Sequence, residues 1–147
     1  MSLKERLLED LKVAMRDKDV IKKNTVQLAR SAVLQVEKDN RVILDDDGII
    51  EILAKELKKR KDSMPEFEKS GRQDLIDNLK LEIVVLLQYL PQQLTEDELE
   101  VIVKQAIEET GSNSVKDMGK VMQAVVPIVK GRADGKMINQ IAKKYLV

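Results

Sequence analysis

The residues best suited to chemistry lie near the end of the chain, in Lys130-Gly131-Arg132-Ala133-Asp134-Gly135-Lys136. Glycines let a backbone come close to a ligand, the helix that opens after them presents free N–H donors, and basic side chains flank the loop. These are the parts of a phosphate grip. They are equally the parts of plain punctuation, with Gly131 closing one helix, Asp134 capping the next and the charges facing water. Hydrolysis of a nucleotide is excluded. Only three residues separate the glycines, and Met137 follows the lysine where a P-loop needs a hydroxyl for magnesium.

Charge is unevenly spread around this loop. Residues 95–109 carry six acids against one lysine, a net of −5, and residues 110–147 carry seven basic residues against Asp117 and Asp134, a net of +5. Lys116, Lys120, Lys130, Arg132, Lys136, Lys143 and Lys144 can form a patch for a phosphate backbone, or can pair with the acidic stretch. A second basic run, Lys58-Lys59-Arg60-Lys61, reads as a solvated helix face. Asp45-Asp46-Asp47-Gly48 lacks the alternating ligand spacing of a calcium loop and reads as a helix cap.

Other chemistry is thinly provided for. The chain has no histidine and no cysteine, which removes the commonest general base, the commonest metal ligand and every thiolate. Ser31, Ser63, Ser70, Ser112 and Ser114 have no imidazole to activate them, and carboxylate pairs such as Glu108-Glu109 are tied to no nucleophile. Neither a catalytic residue, a metal nor a cofactor is expected. The 26 basic and 26 acidic residues cancel, so no global field steers a polyanion. The longest apolar run, Ile83–Leu87, is far too short to span a bilayer, and the first residues lack a signal-peptide core. The chain reads as a soluble, cytoplasmic protein without membrane association.

The elements that must position these residues are helices. Hydrophobic residues make up 43% of the chain and aromatic ones 2%, so the core must be aliphatic. Ser2 with Glu5 forms a capping box before Leu3, Leu7, Leu8, Leu11 and Met15. A second helix spans about 20–38 with Val26, Ala29, Val33 and Val36 on one face. Asp46 or Asp47 caps a third, whose stripe is Ile49, Ile50, Leu53 and Leu57. After Gly71 a fourth carries Leu75, Ile76, Leu79, Ile83, Leu86, Leu87 and Leu90. Apolar on more than one face, it is expected at the centre of its neighbours. Pro91-Gln92-Gln93 marks a domain boundary. Thr95 and Glu98 open a fifth helix, Ser114 caps a sixth that Pro127 kinks or ends, and a seventh at about 135–146 buries Met137, Ile138, Ile141 and Tyr145. The fold class is therefore all-α, with an N-terminal helical domain of about four helices (1–92) followed by a three-helix bundle (93–147).

Several short motifs resemble one family. Gly119-Lys120-Val121-Met122, Pro127 and Lys130-Gly131-Arg132-Ala133-Asp134 are similar to the signature of the YqeY family. A related pattern closes the B subunit of the tRNA-dependent amidotransferases. Arg60-Lys61-Asp62-Ser63, Gly71-Arg72 with Asp74-Leu75, and Glu82, Leu86 and Tyr89-Leu90-Pro91 extend the resemblance over nearly the whole chain. It implies an all-α protein whose C-terminal bundle corresponds to the amidotransferase tail domain, which contacts tRNA rather than performing chemistry. The catalytic cradle of that subunit has no counterpart here, so the label of carbon–nitrogen ligase with glutamine as amido donor attaches by association.

The function expected is a non-catalytic module that binds tRNA or another structured RNA. Lys120, Lys130, Arg132 and Lys136 would contact phosphate, and Gly131 and Gly135 would allow close approach. The alternative is an accessory protein docked on an amidotransferase or an aminoacyl-tRNA synthetase.

Overall fold

The computed structural model describes residues 1–146. Among them are seven α-helices, one 3-10 turn and no strand, so the all-α expectation holds. The chain divides into two compact units, Met1–Leu90 and a second that begins at Pro91.

In the first unit, α1 is Leu3–Arg16, α2 Val20–Asn40, α3 Asp46–Ser70 and α4 Gln73–Leu87. Ser2 caps α1 by accepting the Glu5 N–H at 3.1 Å. The inner face of α1 ends on buried Ala14, and Met15 is exposed, one helical step of 100° away. α3 is capped by Asp45, which accepts the Gly48 N–H at 2.9 Å, rather than by Asp46 or Asp47. Asp46 instead accepts the Leu3 N–H at 3.0 Å, so one carboxylate joins the starts of α1 and α3.

α2 and α3 each pack against the other three helices of the unit, so the central position is theirs and not that of α4 as expected. α4 packs mainly on α2 and α3, burying Ile76, Leu79, Val85 and Leu86 and leaving Leu81 and Val84 about half exposed. Five contiguous apolar residues cover the full circumference of a helix, and two neighbours cannot cover all of it. The core joins Leu7, Val26, Ala29, Val33, Ile49, Leu53, Leu57 and Leu86.

Three polar ties hold the helices in register. Lys4 Nζ donates to both Glu37 carboxylate oxygens at 2.7 and 2.8 Å, and the Leu44 N–H donates to the same group at 2.8 Å. The lysine first and the amide second hold the Glu37 carboxyl below its usual range. The Tyr89 phenol donates to Asp10 while Arg6 lies 4.5 Å over the Tyr89 ring and donates to the Gln88 carbonyl. Burial, then Asp10, pushes the Tyr89 phenol well above its ordinary value.

The third tie corrects the reading of the basic run. Arg60 is not part of a solvated face: it is only 9% exposed and continues the inward stripe of Ile49, Leu53 and Leu57. Its guanidinium meets Glu56 Oε2 at 3.1 Å and lies 3.4 Å from Glu82 Oε1 on α4, the latter an ion pair without hydrogen-bond alignment at Nε. Burying a cation is costly unless carboxylates surround it, and here two do. Lys58, Lys59 and Lys61 remain at the surface.

In the second unit, α5 is Glu96–Thr110, α6 Met118–Val129 and α7 Gly135–Tyr145, packed pairwise as a three-helix bundle. Thr95 caps α5 by accepting the Glu98 N–H at 3.1 Å. Ser114 makes no side-chain cap. It precedes a 3-10 turn, Val115–Asp117, where Asp117 accepts the Asn113 N–H at 3.1 Å, and α6 starts only at Met118. Pro127 lies in the last turn of α6, which ends two residues later. The core holds Leu99, Val103, Val121, Val125, Val129, Ile138, Ile141, Ala142 and Leu146. Met137 and Tyr145, expected inside, are each 38% exposed. Ile138, Ile141 and Ala142 fill the inward stripe at i, i+3 and i+4 and leave no room on that face for Met137.

Leu53 is fully buried among three helices, so Leu53→Ala should destabilise the first unit by about 2–5 kcal/mol in denaturant unfolding. Glu37 has a lowered pKa when folded, so its contribution is present above the unfolded value and is lost as pH falls through the folded one. The melting-temperature gap between the wild type and Glu37→Gln should therefore be widest near neutrality and shrink on acidification towards about pH 3.

Candidate functional site

The basic loop begins where α6 ends. Pro127 removes one N–H from the last turn, and Gly131 then takes φ +75°, a left-handed conformation open to glycine at little cost. The N–H groups of Arg132 and Ala133 both turn back to the Val129 carbonyl, at 2.7 and 3.2 Å. Asp134 caps α7 by accepting the Met137 N–H at 2.8 Å. Its carboxylate already occupies the helix N-terminus where an anion would be expected, so the loop is no closed phosphate cradle.

The loop is also latched to residues 91–94. Arg132 Nε donates to the Gln92 carbonyl at 3.0 Å, and the Leu94 N–H donates to the Arg132 carbonyl at 2.9 Å. The Gln93 side-chain amide donates to the carbonyls of Pro91 at 3.1 Å and Gly131 at 2.7 Å. Arg132 is half-buried as a result. The latch escaped the sequence reading because its partners lie 38–40 residues apart and no helical period relates them.

Of the six candidate residues, Lys130, Gly131, Arg132, Gly135 and Lys136 are brought together by adjacency in the chain. Lys120 stands in the first turn of α6, ten residues and about 15 Å of helix axis before Lys130. The start of α7 lies over the first half of α6: a methyl group added at Gly135 would sit 3.6 Å from the Met122 side chain. Lys120 and Lys130 thus stand at opposite ends of α6 and do not converge on a point. Gly119, beside Lys120, has nothing within 4 Å of where its Cβ would be. Neither Gly119 nor Gly135 needs a left-handed backbone, and neither is crowded.

The two charge classes remain largely segregated. Across the bundle, Lys144 meets Glu96 of α5 at 3.6 Å, and the Tyr145 phenol donates to Glu100 beneath Lys104, whose ammonium is 4.8 Å from the ring centre. Lys120 lies 3.7 Å from Asp117. Lys116, Lys136 and Lys143 make no ion pair among the described residues. Those residues also hold no cluster of acids able to ligate a metal, and no helix long and apolar enough to cross a membrane.

A helical first unit followed by a three-helix bundle defines an all-α class among the described residues. The chain matches the family model described as Yqey-like protein over residues 4–146, and it belongs to that family. It is similar to a protein of Pyrenophora tritici-repentis named altered inheritance of mitochondria protein 41, mitochondrial, at 33% identity over 132 residues, 87% of this chain and 71% of that one. Proteins of the same name resemble it in Kluyveromyces lactis (37% over 84 residues, 56% of this chain and 45% of that one) and Lachancea thermotolerans (34% over 99 residues, 67% and 53%). The matches span about half the length of these last two proteins.

The glycines separate by mutation. Gly131→Ala forces a side chain into the left-handed region and should lower stability by about 1 kcal/mol. Gly119→Ala meets open space in a helix and should leave stability unchanged or raise it by up to about 1 kcal/mol, as read from melting curves of the two variants.

Proposed function

We propose that the second unit binds structured RNA, tRNA foremost, by its phosphate backbone along the α6–α7 surface, as a non-catalytic module in tRNA-dependent amidation. Lys120, Lys130, Arg132 and Lys136 contact phosphate, and Gly131 and Gly135 let the backbone approach. One observation carries this reading. Lys116, Lys136 and Lys143 make no ion pair among the described residues, and the same segment holds Gly119 and Gly135, whose lack of a side chain nothing inside the unit requires. Both glycines stand in the first turn of their helices, where a bare backbone lets an external one come close. Lysines spread over about 15 Å suit several phosphates of a strand better than a single one. With so few aromatic side chains, recognition rests on backbone and shape and not on base stacking.

Carbon–nitrogen ligase chemistry with glutamine as amido donor would, on this reading, belong to a complex and not to this chain. A second reading, docking on an amidotransferase or an aminoacyl-tRNA synthetase, draws on the half-exposed Leu81 and Val84 of α4. A cytoplasmic site of action belongs to the same proposal. The word mitochondrial belongs to the names of its fungal relatives.

Unfractionated tRNA titrated from 50 to 200 mM salt should bind the wild type with log affinity falling linearly in log salt. Lys120→Ala/Lys136→Ala should bind more weakly, with a slope shallower by up to about 0.9 for each phosphate no longer neutralised. A wild type that binds no tRNA at the lowest salt refutes the RNA reading and leaves the docking one.

A further inference from the structure

Arg132 is held at one atom and open at the others. A guanidinium carries five N–H donors in a rigid fork. The bond from Nε to the Gln92 carbonyl uses one of them, and no carboxylate pairs with Arg132 among the described residues. The remaining donors, on the two terminal nitrogens, match the bidentate geometry of a phosphate. An arginine already fixed at one end gives up less freedom on binding than a loose lysine does, so its hold is stronger for the same charge.

What fixes Arg132 is the latch, and the side chain that bridges it besides Arg132 itself is Gln93. That amide spans the Pro91 and Gly131 carbonyls, while the Leu94 N–H closes on the Arg132 carbonyl. The segments 91–94 and 131–132 are thereby tied next to Arg132 by bonds that do not use its guanidinium.

We propose that Gln93 is a positioning residue for phosphate recognition: it presets Arg132 through the latch without touching the RNA. This inference rests on the RNA-binding reading and goes further by naming the arginine that is aimed and the amide that aims it. Linkage follows directly. If a closed latch tightens RNA binding by some factor, bound RNA closes the latch by the same factor.

The test uses the full chain and unfractionated tRNA, with two readouts. Gln93→Ala should bind tRNA about fivefold more weakly or worse, with an unchanged salt slope because every phosphate keeps its cationic partner. Arg132→Ala should weaken binding and flatten the slope by up to about 0.9. Hydrogen exchange at the Leu94 amide provides the second readout and needs no variant. In the wild type tRNA should slow it by a factor like that by which Gln93→Ala weakens binding, and in Arg132→Ala tRNA should leave it unchanged. If tRNA binds but Leu94 exchange does not respond and Gln93→Ala binds as the wild type does, the latch merely closes the bundle and the inference falls while the RNA reading stands. A flattened slope in Gln93→Ala makes Gln93 itself a phosphate ligand and also overturns it. Absence of tRNA binding removes both readings together.

Discussion

Packing helices with three aromatic side chains in 147 residues is the constraint on which the rest depends. Apart from Tyr89 in the first, each core is assembled from Leu, Ile, Val and Ala, which bury less surface per residue than rings do. Aliphatic faces are also forgiving about register, because one branched side chain replaces another with little loss. The polar ties remove that ambiguity. Lys4–Glu37, Arg60 between Glu56 and Glu82, and Tyr89–Asp10 each accept one alignment of their helices and reject its neighbours. In the second unit the latch of Gln92, Gln93 and Leu94 on Gly131 and Arg132 does the same for the end of α6.

The helices themselves were legible from spacing, since capping residues and inward stripes are local signals. Ser2, Thr95 and Asp134 cap where their patterns placed them. Errors came wherever a choice between adjacent positions depended on a distant partner. Asp45 caps α3 because Asp46 is engaged by the start of α1, and Ser114 yields to Asp117 at the 3-10 turn. Arg60 looked solvated because three basic neighbours surround it. Its place four and seven residues after Glu56 and Leu53 was the overlooked clue, since the inward stripe already ran through it. The composition of the site was equally plain in the sequence. The engagement of Arg132 was not, because hydrogen bonds to carbonyls 40 residues away leave no trace in side-chain type.

Polarity within the bundle follows from the same economy of side chains. α5 keeps most of its acids exposed, and α6 and α7 keep most of their lysines exposed, with Lys144 paired to Glu96 across the bundle. The second unit is thus polarised along its sequence, acidic over residues 95–109 and basic over 110–147. Asp134 adds a filter. An anion drawn to the start of α7 must displace a carboxylate already bonded there.

Each unit also carries one tyrosine, and the chain has no tryptophan. Tyr89 is buried in the first unit and Tyr145 lies half-covered under Lys104 in the second, each donating to a carboxylate. The tyrosine absorbance of this protein is therefore the sum of two phenols, one in the core of the first unit and one half-covered on the second. Exchanging either for phenylalanine leaves a chain whose remaining absorbance and emission belong to a single unit, so the melting of one can be followed in the presence of the other without any attached dye.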